Sequence, residues 1–463
     1  MAGIEWVSSR DMAFFFLEGP TTPYHIAALM IVEGPVPSHK RLLRVIEGRL
    51  PLVPRFRQRL EYVPFLNRPA WIDDPSFDLE YHVRRTRVPA PGTEEQLKHV
   101  IAELMEEHVN RFRPLWELWA VDGLRGGRFA LLLKTHHAMV DGATGAYDLS
   151  LLFDRRPDPY RGIPEPWRAR PTGGHGRLAV EAAADLAALP FGAVRALGRA
   201  ALHPVALAGT VLTGAAGAAE LAKAALSPAP RTPFNTLIGP NRAFDFVRVP
   251  FDDVCTIKAD LGGTVNDVIL AATAGGLRRW FLARGERVDG TTLRALVPVS
   301  VRPRGSSATA GNRVTGVLAP LPVFEPDPTR RLDFVARHMR AAKGSRQAIG
   351  AGMLLELPGL VPPSVARRVA GIQRVQRFLN LSLTNVRGPE SPLYLSGRRV
   401  LEIVPVLPLS ANAALIVGAM SYAGSLTFGL VVDPGVVPDV HVLAEGIEKS
   451  VQELLHAAGG RSC

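Results

Sequence analysis

The chain has 463 residues, 47% of them apolar and 21% charged, which excludes a disordered protein and asks for more than one core. Its net charge of +11, carried mostly by arginine, favours anionic partners such as nucleotide phosphates or acidic lipid headgroups, although a GC-rich genome would leave the same Ala, Gly, Pro, Arg and Val richness. Short basic runs, zinc-finger spacing and RNA-binding signatures are absent, which argues against nucleic acid, and the two cysteines, Cys255 and Cys463, give neither a disulfide framework nor a metal spacing and suit a reducing compartment.

The N-terminal MAGIEWVSSRDMAFFFLEG sets acidic residues beside a short apolar run, unlike a signal peptide. HIAALMIVEG, from His25, predicts a strand, and KRLLRVIEGRL, from Lys40, a helix. In residues 94–109, Leu97, Val100, Ile101, Leu104, Met105 and Val109 line one helical face. Trp116 to Val121 and Arg128 to Thr135 predict a hairpin with Gly126 and Gly127 in its turn. Its second strand is almost continuously apolar, as in a central strand buried on both faces. His136 and His137, in KTHHAMVDGATG, therefore fall where a buried strand ends.

Residues 160–240 form a partly helical connection: Pro, Arg and Gly first, then an Ala-rich stretch. Within it, residues 200–219 carry no Asp, Glu, Lys or Arg and are long enough to span a bilayer, but Ala, Gly and Thr dominate and Pro204 interrupts. A partly buried helix is expected there in preference to insertion, with surface attachment as the other reading. From Arg242 the pattern continues as strand FDFVRVPF, a helix from about Asn266, strands LRALVPVSVRP and NRVTGVLAPLPV, and helix RRLDFVARHMRAAK. Strand LSLTNVRGP, the strand pair ALIVGAMSYAGSLTFGLVVD and a closing helix complete it. The division expected is 1–160, a connection 161–240, and 241–463.

Adjacent histidines on extended backbone point in opposite directions, and no HExxH or Cys/His cluster lies nearby, so a metal site is disfavoured. A neutral histidine at a rigid strand end can take a proton from an alcohol or thiol, and Asp141 and Gly142 are placed to fix the loop behind it. Two polar groups merely satisfied at a strand end remain the alternative.

HHAMVDG resembles the HHxxxDG motif of the CoA-dependent acyltransferase superfamily. With PLWELWAVDGL from Pro114, TVNDVILA, LVPVSVR, TNVRGP and SYAGSLTFGLVVD in order, nearly the whole chain resembles the bacterial wax ester synthase/diacylglycerol acyltransferase family. One departure is Arg387, where the family has Pro; it is expected to loosen the turn slightly and add a positive charge. The resemblance implies an α/β (α+β) fold of two chloramphenicol-acetyltransferase-like halves with a channel between them. It implies transfer of a fatty acyl group from acyl-CoA to diacylglycerol or a long-chain alcohol, with no cofactor. A cytoplasmic protein, peripheral to the inner membrane or lipid droplets, is expected. A condensation-type acyltransferase and a non-catalytic lipid-binding protein of the same fold are the alternatives.

On that resemblance His137 is the general base, and His136 supports packing or edges the pocket. Asp141 is structural, paired with Arg302, or else with Arg294 or Arg313, and Gly142 permits tight backbone passage. Asn266, Thr384 and Asn385 are oxyanion candidates; Asn266 reads equally as a helix N-cap, and the other two as turn formers. Pro114, Leu115 and Trp116 pack the sheet or line an acyl channel.

Overall fold

The computed structural model describes residues 5–62, 69–139, 151–158, 167–170, 176, 180, 228–300, 314–343 and 378–459. Asp141, Gly142, Arg302, Arg313, Cys463 and the 200–219 stretch lie outside them. No helix among the described residues is long and apolar enough to cross a membrane.

Alternating burial and a two-glycine turn build the first half. Strands β6 (Trp116–Leu124) and β7 (Arg128–His136) form the expected hairpin, with Gly126 and Gly127 both at positive φ. Every residue of β7 after Arg128 is buried, because it lies between β6 and β2 (His25–Val32). With β5 (Val83–Arg87), β12 (Tyr394–Leu395) and β13 (Arg398–Val406) these make a six-stranded sheet of order β12-β13-β2-β7-β6-β5. A small sheet, β1 (Glu5–Trp6), β4 (Pro69–Asp73) and β3 (Gln58–Tyr62), flanks it. Helices α1 (Ser9–Leu17), α2 (His39–Arg49), α3 (Leu79–His82) and α4 (Glu94–Glu106) accompany this half. A Thr93–Gln96 capping box starts α4, and buried Lys134 of β7 donates to the carbonyls of Leu104 and Glu107 at its end.

The second sheet has the order β10-β9-β11-β14-β15-β8, from β8 (Ala243–Pro250), β9 (Thr292–Ser300), β10 (Val314–Pro322), β11 (Leu381–Arg387), β14 (Leu415–Tyr422) and β15 (Ser425–Val432). Helices α5 (Phe251–Leu261), α6 (Val265–Ala283), α7 (Pro328–Lys343) and α8 (Val440–Ala457) belong to this half, and α6, α7 and α8 meet at buried Arg331. Its guanidinium donates to Ala271 O and Ser450 Oγ.

The division expected at residue 240 does not follow the sheets. Strands β12 and β13, from the C-terminal stretch, cross over and β13 pairs antiparallel with β2. Its other side packs on β14 and β15, where Gly418 and Gly429 are partners in register. A Cβ on Gly429 would overlap the Pro405 carbonyl of β13, and one on Gly418 would fall 2.7 Å from Leu407 Cδ1. The main chains approach too closely for a side chain. Thr427 Oγ1 donates to Ile403 O at 2.7 Å, and Tyr422 Oη donates to Val400 O at 2.9 Å while accepting from Leu393 N–H. A shared apolar core unites β2, β7, β13, β8 and α4 through Leu29, Leu132, Val404, Phe246 and Ile101. Lys98–Asp245 at 2.6 Å and Arg248–Glu402 at 2.6 Å rim the same joint.

Gly429→Ala is expected to destabilise the protein by about 3 kcal/mol or more, since backbone rather than a flexible side chain must yield. A melting temperature equal to that of the wild type would contradict this reading of the joint.

Candidate active site

β7 carries the paired histidines to its end and the neighbouring strands lock them there. His136 is the last strand residue; its N–H donates to Leu115 O at 2.9 Å, and it lies opposite His25 of β2. The next N–H, that of His137, donates to Tyr24 O at 2.9 Å. The chain then turns, Met139 N–H donating to His136 O.

The two rings have different surroundings. His136 is fully buried, and its Nδ1 accepts from Ala138 N–H at 3.1 Å. That fixes the proton on Nε2, which faces Glu18 Oε2 at 3.4 Å, longer than a good hydrogen bond but within ion-pair range. His136 thus has both nitrogens committed to the protein. His137 is only partly buried. Helix α1 supplies a ring to each: Phe15 stacks on His136 with centroids 4.4 Å apart, and Phe14 on His137 at 4.0 Å.

Glu18 ends α1 and is the centre of a buried cluster. It pairs with Arg111, faces His136, and has His25 and His108 at 3.8 Å each. Burial pushes its carboxyl up, but the His136 and Arg111 donors outweigh burial and hold it at about 2. Burial holds His136 below the ordinary imidazole value, against the pull of Glu18, and drives His25 well below it. His25 Nε2 accepts from Val109 N–H at 3.3 Å, so it too is neutral. Among the described residues no group of three His, Cys, Asp or Glu side chains is arranged to hold a metal ion.

The upstream PLW block packs the sheet. Pro114, Leu115 and Trp116 are buried; Leu115 holds His136 through its carbonyl, and Trp116 Nε1 donates to Phe56 O at 2.7 Å. The Trp116 ring stacks on His82 at 4.7 Å, and burial lowers the His82 pKa to about 4.

In the second half, the expectation that Asn266 could cap its helix is corrected. The cap is Thr264, in a capping box with Asp267, because Thr264 has the extended backbone and accepts from Asp267 N–H. Asn266 is one turn-residue further in, its Nδ2 buried without a partner among the described residues. Thr384 Oγ1 on β11 is likewise buried without a described partner, whereas Asn385 alternates to the other face and is exposed. At the Arg387 turn, Gly388 N–H donates to Ser421 O at 3.0 Å, and the added charge of Arg387 pairs with exposed Glu390. Arg294, the described one of the three arginines considered for Asp141, lies in β9, its N–H bonded to Asn380 Oδ1.

Sequence reasoning missed Glu18, Phe14 and Phe15. The available signal was the polar residue closing the apolar run in AFFFLEG, two turns after a Ser8 cap whose Oγ accepts from Asp11 N–H.

Three neutral buried histidines set a pH dependence. A histidine whose folded pKa is lowered binds fewer protons folded than unfolded, so its contribution is full above the ordinary 6.5 and is lost as pH falls through the folded value. Glu18 acts in the same direction at lower pH, its contribution present above 4.5 and lost as pH falls toward about 2. The melting temperature should therefore rise from about pH 4.5 to about 6.5 and level off above it; a flat profile between about pH 5 and 7 would count against neutral buried imidazoles.

Family models and several known proteins match the chain over most of its length. Residues 7–269 match the family model of the wax ester synthase/diacylglycerol acyltransferase catalytic domain, and residues 310–455 that of the C-terminal domain of the same family. A probable diacylglycerol O-acyltransferase of Mycobacterium tuberculosis, tgs1, is 36% identical, covering 93% of this chain and 91% of its own. The fold is similar to that of a wax ester synthase/diacylglycerol acyltransferase from Marinobacter aquaeolei (TM-score 0.70, 24% identity, 98% of this chain and 100% of that one). It is also similar to a trichothecene 15-O-acetyltransferase from Fusarium sporotrichioides (TM-score 0.65, 12% identity, 98% and 95%).

Proposed function

The chain belongs to the wax ester synthase/diacylglycerol acyltransferase family and is an acyltransferase, and from that premise we propose that it moves a fatty acyl group from acyl-CoA to diacylglycerol or a long-chain alcohol. The observation that carries the assignment of roles is the asymmetry of the histidine pair. His136 is fully buried with both ring nitrogens turned to protein groups, whereas His137 is the partly buried member of the pair.

In this reading His137 accepts the proton of the acceptor hydroxyl as its oxygen attacks the thioester carbonyl. A tetrahedral intermediate forms, its oxyanion met by donors on the second half; the buried Asn266 Nδ2 and Thr384 Oγ1 are suited to this. Collapse expels the CoA thiolate, which takes the proton from the His137 imidazolium. The ester leaves and the imidazole is neutral again. No covalent acyl-enzyme and no cofactor enter the scheme.

His136, Glu18 and the Phe14 and Phe15 rings position the base. They fix the strand end and the plane of each imidazole. Asp141 and Gly142 keep the loop-forming role that the motif suggests. Both substrates carry long apolar chains, so we place the protein at the cytoplasmic surface of a membrane or lipid droplet, attached peripherally.

Purified protein given palmitoyl-CoA with diacylglycerol or hexadecanol should release CoA and form the ester. His137→Ala should lower turnover about 10²- to 10⁴-fold while the protein remains folded. Asn266→Ala should lower kcat about 10²-fold with a smaller change in KM. Turnover of the His137→Ala protein at the wild-type rate would overturn the choice of base, and failure of both acceptors would overturn the reaction.

A further inference from the structure

Among the described residues, the two most exposed large apolar side chains are Phe112, 83% exposed, and Leu237, 73% exposed. Isolated exposed apolar residues are ordinary. These two differ in how they are held. Phe112 sits in a turn where its N–H donates to Asn110 Oδ1 at 2.9 Å and Arg113 N–H to Asn110 O at 3.2 Å. Val109 on one side and Pro114 and Leu115 on the other are buried. Leu237 lies between buried Phe234 and Ile238, and Gly239 N–H donates to Asp433 Oδ2 at 2.6 Å. Neither loop can fold its apolar tip away from water.

The two loops also grip one turn, Gly19–Thr22, which closes on itself through Thr22 N–H to Gly19 O at 3.0 Å. A His108 ring nitrogen meets Gly19 O at 3.1 Å from the Phe112 side, and Arg242 donates to Thr21 O from the Leu237 side. This turn joins Glu18 to Tyr24, whose carbonyl holds His137. Segments 108–116 and 228–241 contain no Asp or Glu; Arg111 is paired with Glu18, which leaves Arg113 and exposed Arg231 as the cations beside the two tips. The rim is therefore apolar at its tips, cationic at its flanks and tied to the histidine strand end.

We propose that the Phe112 and Leu237 loops are the docking rim by which the protein sits on an anionic phospholipid surface, inserting both side chains at headgroup depth. The proposal rests on the peripheral attachment inferred above and names where it occurs. Shallow insertion of a few apolar side chains beside basic ones is the combination that binds such surfaces reversibly. Docking there brings the Gly19–Thr22 turn, which leads from Glu18 to the Tyr24 carbonyl that holds His137, toward the lipid that supplies the acceptor.

The test compares wild type with the Phe112→Ser/Leu237→Ser double variant in sedimentation with phosphatidylcholine vesicles containing phosphatidylglycerol. The double variant should partition about tenfold more weakly, with an unchanged melting temperature. It should also lose turnover of vesicle-borne diacylglycerol while turning over a short water-soluble alcohol like the wild type. Equal vesicle binding by the variant and the wild type would overturn the rim while leaving peripheral attachment in place. Wild-type protein that transfers acyl groups yet binds no vesicle would overturn both attachment and rim but not the reaction. A wild-type dimer in size-exclusion that the double substitution dissociates would assign the tips to a second copy of the chain and overturn the lipid assignment.

Discussion

The contact on which the molecule depends is that of β13 with Gly418 and Gly429. A strand from the C-terminal stretch completes the first sheet beside β2 and lies against the second. Two glycines opposite each other in a ladder are unfavourable for a strand taken alone. They are tolerated here because the Pro405 carbonyl occupies the space a Gly429 side chain would fill, and the Leu407 and Pro405 side chains that of Gly418. Since β13 pairs with β2 and β2 pairs with β7, this approach also fixes where the β7 histidines lie relative to the β11 and α6 groups of the other half. The halves form one unit around a shared core.

At the end of β7, burial separates the roles of two adjacent identical side chains. Extended backbone aims them apart. One faces a carboxylate that is ionised because Arg111 and the His136 N–H compensate its desolvation. The other faces outward under a phenylalanine ring. Both Phe14 and Phe15 come from α1, as does the chain leading into Glu18, so a single short helix supports both imidazoles.

Much of this was legible in the sequence, for physical reasons that differ by element. The β6–β7 hairpin announced itself by an unbroken apolar run and a Gly-Gly turn, both local properties. The PLW block could be read as packing, since three large apolar residues beside a buried strand have nowhere else to go. Neither β13 nor its crossing was legible: RRVLEIVPV lacks a period-two alternation, and nothing local says which sheet it joins. Helix α1 was hidden because FFF has no helical periodicity, and Glu18 because a carboxylate's partners, here Arg111 and His136, lie 93 and 118 residues away by their numbering. Arg387 shows the reverse case, where a motif departure that looked consequential is neutralised locally by Glu390 on the surface.

The buried cluster also gives a physical reason for the first of the two adjacent histidines. A base at a strand end needs the residue before it to anchor the turn, and that residue must fill a site lined by Glu18, Arg111 and His25. An apolar side chain there would leave the buried carboxylate with Arg111 as its close partner and His25 and His108 at 3.8 Å; a lysine would compete with Arg111 for it. A neutral imidazole accepts from Ala138 N–H on one side and points its other N–H at Glu18, 3.4 Å away, serving the strand end while facing the carboxylate. On this argument the first histidine serves the strand end and the carboxylate, and under the mechanism proposed above the proton transfer falls to His137.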